Sequence, residues 1–317
     1  MSLRATVLAA GAPGARRLRL HVPAGAPPPR GWPLLVLLDG DWVWPLDPPT
    51  GHESACAVLI PGHGGMHGPV LPRLSRQGGP AQAGLQTQAL ARRALDFTPP
   101  APDGGRWPDP RRPEWQCGGA DAFLDALLGP MLDWAGAQAP LDPRRLCLYG
   151  HSYGGLCALY ALVRHPGRFA HTICASPSLW WRDGRIEALL DGLPRSLPAD
   201  PAQAPGGPAS PGDAVSPAPG GPDGAGPSTP RPHPAAPRVR LTLMAGTDER
   251  WYPRPLDPTR PRRPADGIPT LPRLEALLDR LAGIPWLDCA LERLDGTHHG
   301  DALRASARRA MALAAAT

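Results

Sequence analysis

Residues 150–155 read Gly150-His151-Ser152-Tyr153-Gly154-Gly155, directly after the apolar run Leu146-Cys147-Leu148-Tyr149 and directly before Leu156-Cys157-Ala158-Leu159-Tyr160. An apolar strand, a G-x-S-x-G turn and a helix in immediate succession leave the chain few options. A serine at the tip of so sharp a turn has a strained backbone, and side chains two residues before and after it would collide. Gly150 and Gly154 remove those side chains. The turn lifts the Ser152 hydroxyl clear of a sheet and points the Tyr153 amide toward the place where an oxyanion would form. The pattern predicts Ser152 as a nucleophile.

The rest of the chain supplies a framework for that turn. Residues 2–10 and 16–22 read as a β-hairpin, with turn signals at Gly11, Pro13 and Gly14. Leu34–Leu38 is an all-apolar run of the kind that forms a buried parallel strand, and 56–60 is another. Apolar residues at helical spacing (Phe123, Leu124, Leu127, Leu128, Met131, Leu132) predict one helix over 120–136, with Asp121 as an acid in its first turn. Beyond the serine, the pattern predicts strands at 171–176, 239–245 and 286–294 and helices at 185–193 and 271–281. Strands alternating with helices argue for a mainly parallel central sheet with helices on both faces, the α/β-hydrolase architecture that also houses a G-x-S-x-G turn. The chain of 317 residues suits a single domain over 1–317. Residues 199–237 alternate Pro, Gly, Ala and Ser and offer nothing large to bury, so they read as a disordered insertion, with a lid over the site as the functional alternative.

Composition narrows the partners. The chain has no lysine and no asparagine, so all 33 Lys+Arg are arginine. A GC-rich coding sequence accounts for this, and the net charge of +5 is weak evidence for a polyanion. No nucleic-acid motif accompanies the charge, and no nucleic-acid partner is expected. No apolar run approaches the length of a membrane span. The six cysteines form no C-x-x-C pair, and four lie in apolar segments, so they read as reduced core residues. With a start that reads as a first strand, the cytoplasm is the expected compartment and the periplasm remains open.

A serine hydroxyl needs a base, and the base needs an acid to orient it. In this architecture the order is Ser, acid, His, each on a loop beyond the carboxyl end of a strand. The predicted strand at 239–245 runs into Gly246-Thr247-Asp248-Glu249, and the last strand into Asp295-Gly296-Thr297-His298-His299-Gly300. Glu249 and His299 are the first choices, with Asp248 and His298 as alternatives. The oxyanion hole would combine the amide of Tyr153 with that of Asp41, or of Gly40, in the turn after Leu38. His63 and His67 have an i,i+4 spacing in a glycine-rich stretch that disfavours a helix, and no metal site is expected. No cofactor motif is present, and His151 reads as a packed neighbour of the serine.

Several further segments carry a family resemblance. Leu37-Leu38-Asp39-Gly40-Asp41 is similar to an L-L-D-G-x turn, and Arg93-Ala94-Leu95-Asp96-Phe97-Thr98-Pro99 to an R-x-x-[DE]-[YF]-T-P segment. Gly118-Gly119-Ala120-Asp121-Ala122-Phe123-Leu124 is similar to a G-G-A-x-x-F-L helix entry. Gly150–Gly155 and Ala175-Ser176-Pro177-Ser178-Leu179-Trp180-Trp181 match a G-H-S-x-G-G and S-P-S-L-W-W pair. Together they resemble the esterase family that includes the ferric-enterobactin and related siderophore esterases, over most of residues 16–310. Ile60-Pro61-Gly62-His63-Gly64-Gly65 and the 199–237 insertion depart from it.

The resemblance places the nucleophile on Ser152, the histidine on His299 and the acid, where one is used, on Glu249. It implies ester hydrolysis without a metal or cofactor, on a small-molecule ester, with ferric siderophore trilactones the favoured class. Such a ligand is bulky, aromatic and anionic. Arg111, Arg112, Trp115, Trp180, Trp181 and Arg182 are the candidates to meet it, each also readable as an ordinary surface or core residue. A general short-acyl esterase, a thioesterase, an acyltransferase and a catalytically idle siderophore-binding protein are the alternatives.

Overall fold

The computed structural model describes residues 1–8, 15–43, 55–63, 80–197, 238–251 and 267–317. The expected insertion at 199–237, the turn signals at 11–14 and His67 lie outside the described residues. The first half contains β1 (Ser2–Leu8), β2 (Arg16–Val22), β3 (Trp32–Leu37), α1 (Gly40–Val43), β4 (Ala57–Pro61) and α2 (Pro80–Asp96). A small ribbon, β5 (Trp107–Pro108) with β6 (Gln116–Cys117), precedes α3 (Ala120–Ala126) and α4 (Leu132–Gln138). Next come β7 (Leu141–His151), α5 (Tyr153–Arg164), β8 (His171–Ala175) and α6 (Arg185–Asp191). The last part holds β9 (Val239–Gly246), the ribbon β10 (Arg250–Trp251) with β11 (Ile268–Pro269), α7 (Leu271–Leu281), β12 (Leu287–Leu294) and α8 (His299–Ala315).

Among the described residues, eight strands form one sheet in the order β1-β2-β4-β3-β7-β8-β9-β12. The hairpin β1–β2 and the β2–β4 pair are antiparallel, and every other pairing is parallel. The period of two along a strand feeds two cores. Leu34, Val36, Leu146, Leu148, Leu241 and Leu243 face α3, α5, α6 and α7 on one side. Leu35, Leu37, Cys147, Tyr149, Ile173 and Met244 meet Ala307, Ala310, Met311 and Ala314 of α8 on the other. Helix α5 is buried from Tyr153 through Leu162, as a helix at the centre of such a layer must be.

One element departs from expectation. The helix predicted over 120–136 is two helices joined through a π-helical turn at Leu127–Met131. Pro130 has no N–H to donate and its ring crowds the preceding turn, and Gly129 leaves helical geometry (φ −101°, ψ −108°). The apolar spacing survives the interruption because Phe123, Leu124, Leu127 and Met131 still reach the same core.

The topology fixes where chemistry can occur. Strand order reverses between β3 and β7, which pair in parallel with Leu37 opposite Tyr149. In open α/β sheets the crevice beyond the carboxyl ends at such a reversal is the binding site. Here it brings the turn after β3 beside the turn after β7, with the carboxyl ends of β8, β9 and β12 following in order.

Candidate active site

Strand β7 ends in the sharp turn that the glycines anticipate. Ser152 has φ 57° and ψ −115°, and a Cβ on Gly150 would lie 2.0 Å from the Gly154 carbonyl oxygen. Gly150 is thus a steric necessity. A Cβ on Gly154 would lie 3.2 Å from Asp39 Oδ2 and one on Gly155 3.0 Å from Ala175 O and Pro177 Cα, so the motif glycines also let neighbouring loops close on the serine. The Ser152 amide donates to Ala175 O (3.0 Å), and its carbonyl accepts from Leu156 N (2.9 Å) and Ser178 N (3.1 Å).

Glu249 and His299 meet across the ends of β9 and β12. His299 Nδ1 lies 3.0 Å from Glu249 Oε1. The carboxylate is buried and also accepts from Ser176 Oγ (Oε2, 2.5 Å) and Thr270 Oγ1 (Oε1, 3.0 Å). Burial works against its charge, but the bonds from His299, Ser176 and Thr270 outweigh it and hold the carboxyl below the usual range. The His299 side chain is 45% exposed, so solvent reaches it while its acid partner stays buried. The alternatives are arranged differently. Asp248 is exposed, and His298 Nδ1 lies 3.1 Å from its backbone carbonyl, so neither side chain joins the Glu249–His299 pair. Gly246 is also sterically required, since a Cβ there would sit 2.0 Å from Thr297 O.

His151 packs behind this pair, with its ring centroid 4.6 Å from that of His299. Burial, with His299 and Arg93 nearby, pushes it down to about 3. Its Nε2 is 2.9 Å from the His299 carbonyl, which can only accept, so the neutral ring carries its proton on Nε2. Burial similarly pushes His21 and His171 down to about 4. These histidines stay neutral in the folded chain but charge near pH 6.5 when unfolded, so the stability they contribute is complete above pH 6.5 and falls as the pH drops toward 4. Each adds a slope of about 1.4 kcal/mol per pH unit in that window. Denaturant unfolding at pH 7.5 and pH 5 should show a loss of several such units, and equal stability at the two values would refute the assignment.

The turn after β3 supplies the other wall. Asp39 (φ 61°) precedes α1, and a Cβ on Gly40 would strike Ile60 at 2.8 Å. The Asp41 carboxylate is engaged by Arg19 at 2.5 Å, so whatever Asp41 offers a substrate comes from its main chain. Asp39 is fully buried and takes a two-pronged contact from Arg93 (Nε to Oδ1 and Nη2 to Oδ2, both 2.7 Å), with His63 Nε2 at 3.1 Å. Burial resists the charge, but Arg93 and His63 bring the carboxyl down to about 2. Arg93 Nη2 also donates to His151 O (2.8 Å), tying this turn to the serine turn. Two motifs singled out separately, L-L-D-G-x and R-x-x-[DE]-[YF]-T-P, thus meet as one ion pair. Among the described residues, no group of His, Cys, Asp and Glu could hold a metal ion.

The candidate substrate wall is only partly assembled. Trp180 is half-buried, with Tyr153 at 5.9 Å, Trp251 stacked at 6.3 Å and the Arg111 guanidinium 3.9 Å over its ring. Trp251 carried no signal in the sequence. Trp181, one of the candidates to meet a ligand, is fully buried against Trp107 and takes the other reading, that of a core residue. Arg182 lies over Trp107 and bonds the Pro108 carbonyl, so its head group is committed to the β5 ribbon. Arg112 is exposed, 5.5 Å over Trp115 and 3.8 Å from Glu114.

The sequence profile of the family described as Putative esterase matches residues 11–210, more than half of the chain. The chain belongs to that family. The siderophore triacetylfusarinine C esterase of Aspergillus fumigatus is 43% identical to this family member over 94 residues, which are 28% of this chain and 28% of that protein. The ferri-bacillibactin esterase BesA of Bacillus subtilis is 31% identical over 167 residues, 50% of this chain and 52% of its own. The chain therefore spans between about a quarter and a half of the length of these curated relatives. The siderophore hydrolase EstB from Aspergillus nidulans matches over 98% of this chain and 93% of its own, with a TM-score of 0.62 at 20% identity, a likeness of α/β-hydrolase fold. No helix among the described residues of this esterase-family chain is long and apolar enough to cross a membrane.

Proposed function

We propose that this chain is a serine carboxylic-ester hydrolase acting on siderophore esters through an acyl-enzyme. The observation that carries the reading is the Glu249–His299 contact at 3.0 Å on the loops that follow β9 and β12, together with a serine held at φ 57° on the strand–turn–helix elbow after β7. Ser152 Oγ attacks the ester carbonyl as His299 Nε2 takes its proton, and Glu249 stabilises the imidazolium through Nδ1–H. The amide of Tyr153, with that of Asp41 or Gly40, receives the oxyanion. The imidazolium then protonates the departing alcohol, and a water deprotonated by the same histidine releases the acid and restores Ser152. The names of the curated relatives support a siderophore as substrate, and the Trp180, Trp251 and Arg111 group beside Tyr153 suits an aromatic, anionic ligand.

Product analysis by mass spectrometry tests this reading, with a ferric catecholate trilactone and a p-nitrophenyl ester incubated with wild type and Ser152→Ala. Ring opening that vanishes in the variant is the expected result. Cleavage of the simple ester alone would reject the substrate class and keep the chemistry. Activity on neither would reject both.

A further inference from the structure

The turn that closes β8, Ser176-Pro177-Ser178, has no place in the reaction just described, yet both of its hydroxyls touch that machinery. Ser176 Oγ donates to Glu249 Oε2 at 2.5 Å, leaving Oε1 to His299 Nδ1 and Thr270 Oγ1, each at 3.0 Å. Ser178 Oγ lies 3.3 Å from Ser152 Oγ, and Ser178 N donates to the Ser152 carbonyl at 3.1 Å. Both serines are buried, at 2% and 1% exposure. The start of the turn is anchored, since Ser176 N donates to Met244 O (2.7 Å) and Ala175 O accepts from Ser152 N (3.0 Å), and the Ser178 N bond to Ser152 O fixes its other end.

Two further features argue that the turn is built for this. Ser176 has φ 44°, a backbone region where glycine is easier, so a serine there costs strain and keeps a hydroxyl that reaches Glu249. A Cβ on Gly155 would lie 3.0 Å from Ala175 O and Pro177 Cα. The last glycine of G-H-S-x-G-G is therefore what lets the S-P-S turn approach the elbow. The two motifs, distant by more than twenty residues in the chain, are fitted to one another.

We infer that Ser176 and Ser178 are paired positioning residues, Ser176 orienting Glu249 toward His299 and Ser178 holding the Ser152 hydroxyl in the elbow. The inference rests on the assignment of Ser152, His299 and Glu249 as reacting groups. With Ser178 donating to Ser152 Oγ, the serine proton is free to face His299, and the contact strengthens as Oγ gains negative charge. Among the described residues, the titratable groups that act on Glu249 are His299, which contacts it, and His151 behind that ring. Loss of the Ser176 bond raises the pH at which Glu249 takes a proton, and a protonated Glu249 no longer supports the imidazolium.

The test compares wild type, Ser176→Ala, Ser176→Gly, Ser178→Ala and Ser152→Ala on p-nitrophenyl acetate across pH 5 to 9, with melting temperatures in parallel. The glycine variant removes the hydroxyl while relieving the positive φ, which separates positioning from folding. Both Ser176 variants should lose roughly tenfold in kcat/KM at pH 8 and show an acidic limb displaced to higher pH. Ser178→Ala should lose roughly tenfold in kcat with KM within about twofold of wild type. An unmoved limb in Ser176→Gly, or kcat within about twofold of wild type in Ser178→Ala, would overturn the inference. Failure of the underlying assignment reads differently: Ser152→Ala would then keep wild-type activity.

Discussion

Ser152→Ala should lower kcat/KM on a p-nitrophenyl ester by about 10⁴-fold or more without weakening the fold. The loss is large because every other group of the proposed site works through that oxygen: His299 has no proton to take and the oxyanion hole no alkoxide adduct to hold. The fold should tolerate the change because Ser152 makes its structural contacts through the main chain, to Ala175 O, Leu156 N and Ser178 N. Ser152→Gly should go further and raise stability by about 1 kcal/mol, since glycine adopts φ 57°, ψ −115° with less strain than any residue bearing a Cβ. An inactive variant that is as stable as the parent, or more so, is the signature of strain kept for chemistry. Steady-state rates and denaturant midpoints measure both halves. Residual activity above about 1% of wild type would remove Ser152 from the nucleophile's role.

The elbow was legible in the sequence because sterics write it there: Gly150 must be glycine, and strand and helix abut it without a loop. The order of acid and histidine was legible because each follows a predicted strand, β9 with a largely apolar, buried run and β12 with a mixed one. Glu249 was the first choice over Asp248 from the sequence and from the resemblance, but adjacent residues in a turn point in different directions, and it is the fold that turns Glu249 toward His299. Helices α2 and α8 were not anticipated. Helix α8 packs on the sheet through small residues, Ala307, Ala310 and Ala314, and so lacks the large-residue stripe that marks a helix in sequence. Thr270 carried no signal either. It occupies the cap position of α7 but makes no cap bond, giving its hydroxyl to Glu249 twenty-one residues earlier. Trp181 misled in the opposite sense: its neighbour Trp180 is half-buried beside Tyr153, and the kink at Arg182 and Asp183, both at positive φ, accompanies a turn that takes Trp181 into the core.

Arg93→Met should destabilise the fold by about 3–5 kcal/mol, the cost of leaving a buried charge without its partner. Asp39 has no exposed side-chain surface, and among the described residues its hydrogen-bond partners are Arg93, with two bonds, and His63, with one. Removing the guanidinium also leaves the His151 carbonyl without the donor at 2.8 Å that links the two turns. Arg93→Lys should recover only part of the loss, because an ammonium cannot span both carboxylate oxygens and the carbonyl with a planar fork. The double variant Arg93→Met with Asp39→Asn should be more stable than Arg93→Met alone, since it removes the stranded charge and not merely another contact. Urea unfolding of the three variants measures this ordering. A loss under about 1 kcal/mol in Arg93→Met would mean that the pair is hydrated in solution and does not fasten the turn after β3 to the serine elbow. If the ordering holds, ester hydrolysis should fall in all three. The pair links the two loops whose amides, in the proposed mechanism, receive one oxyanion, and a shift of about 1 Å there is enough to cost two orders of magnitude in rate.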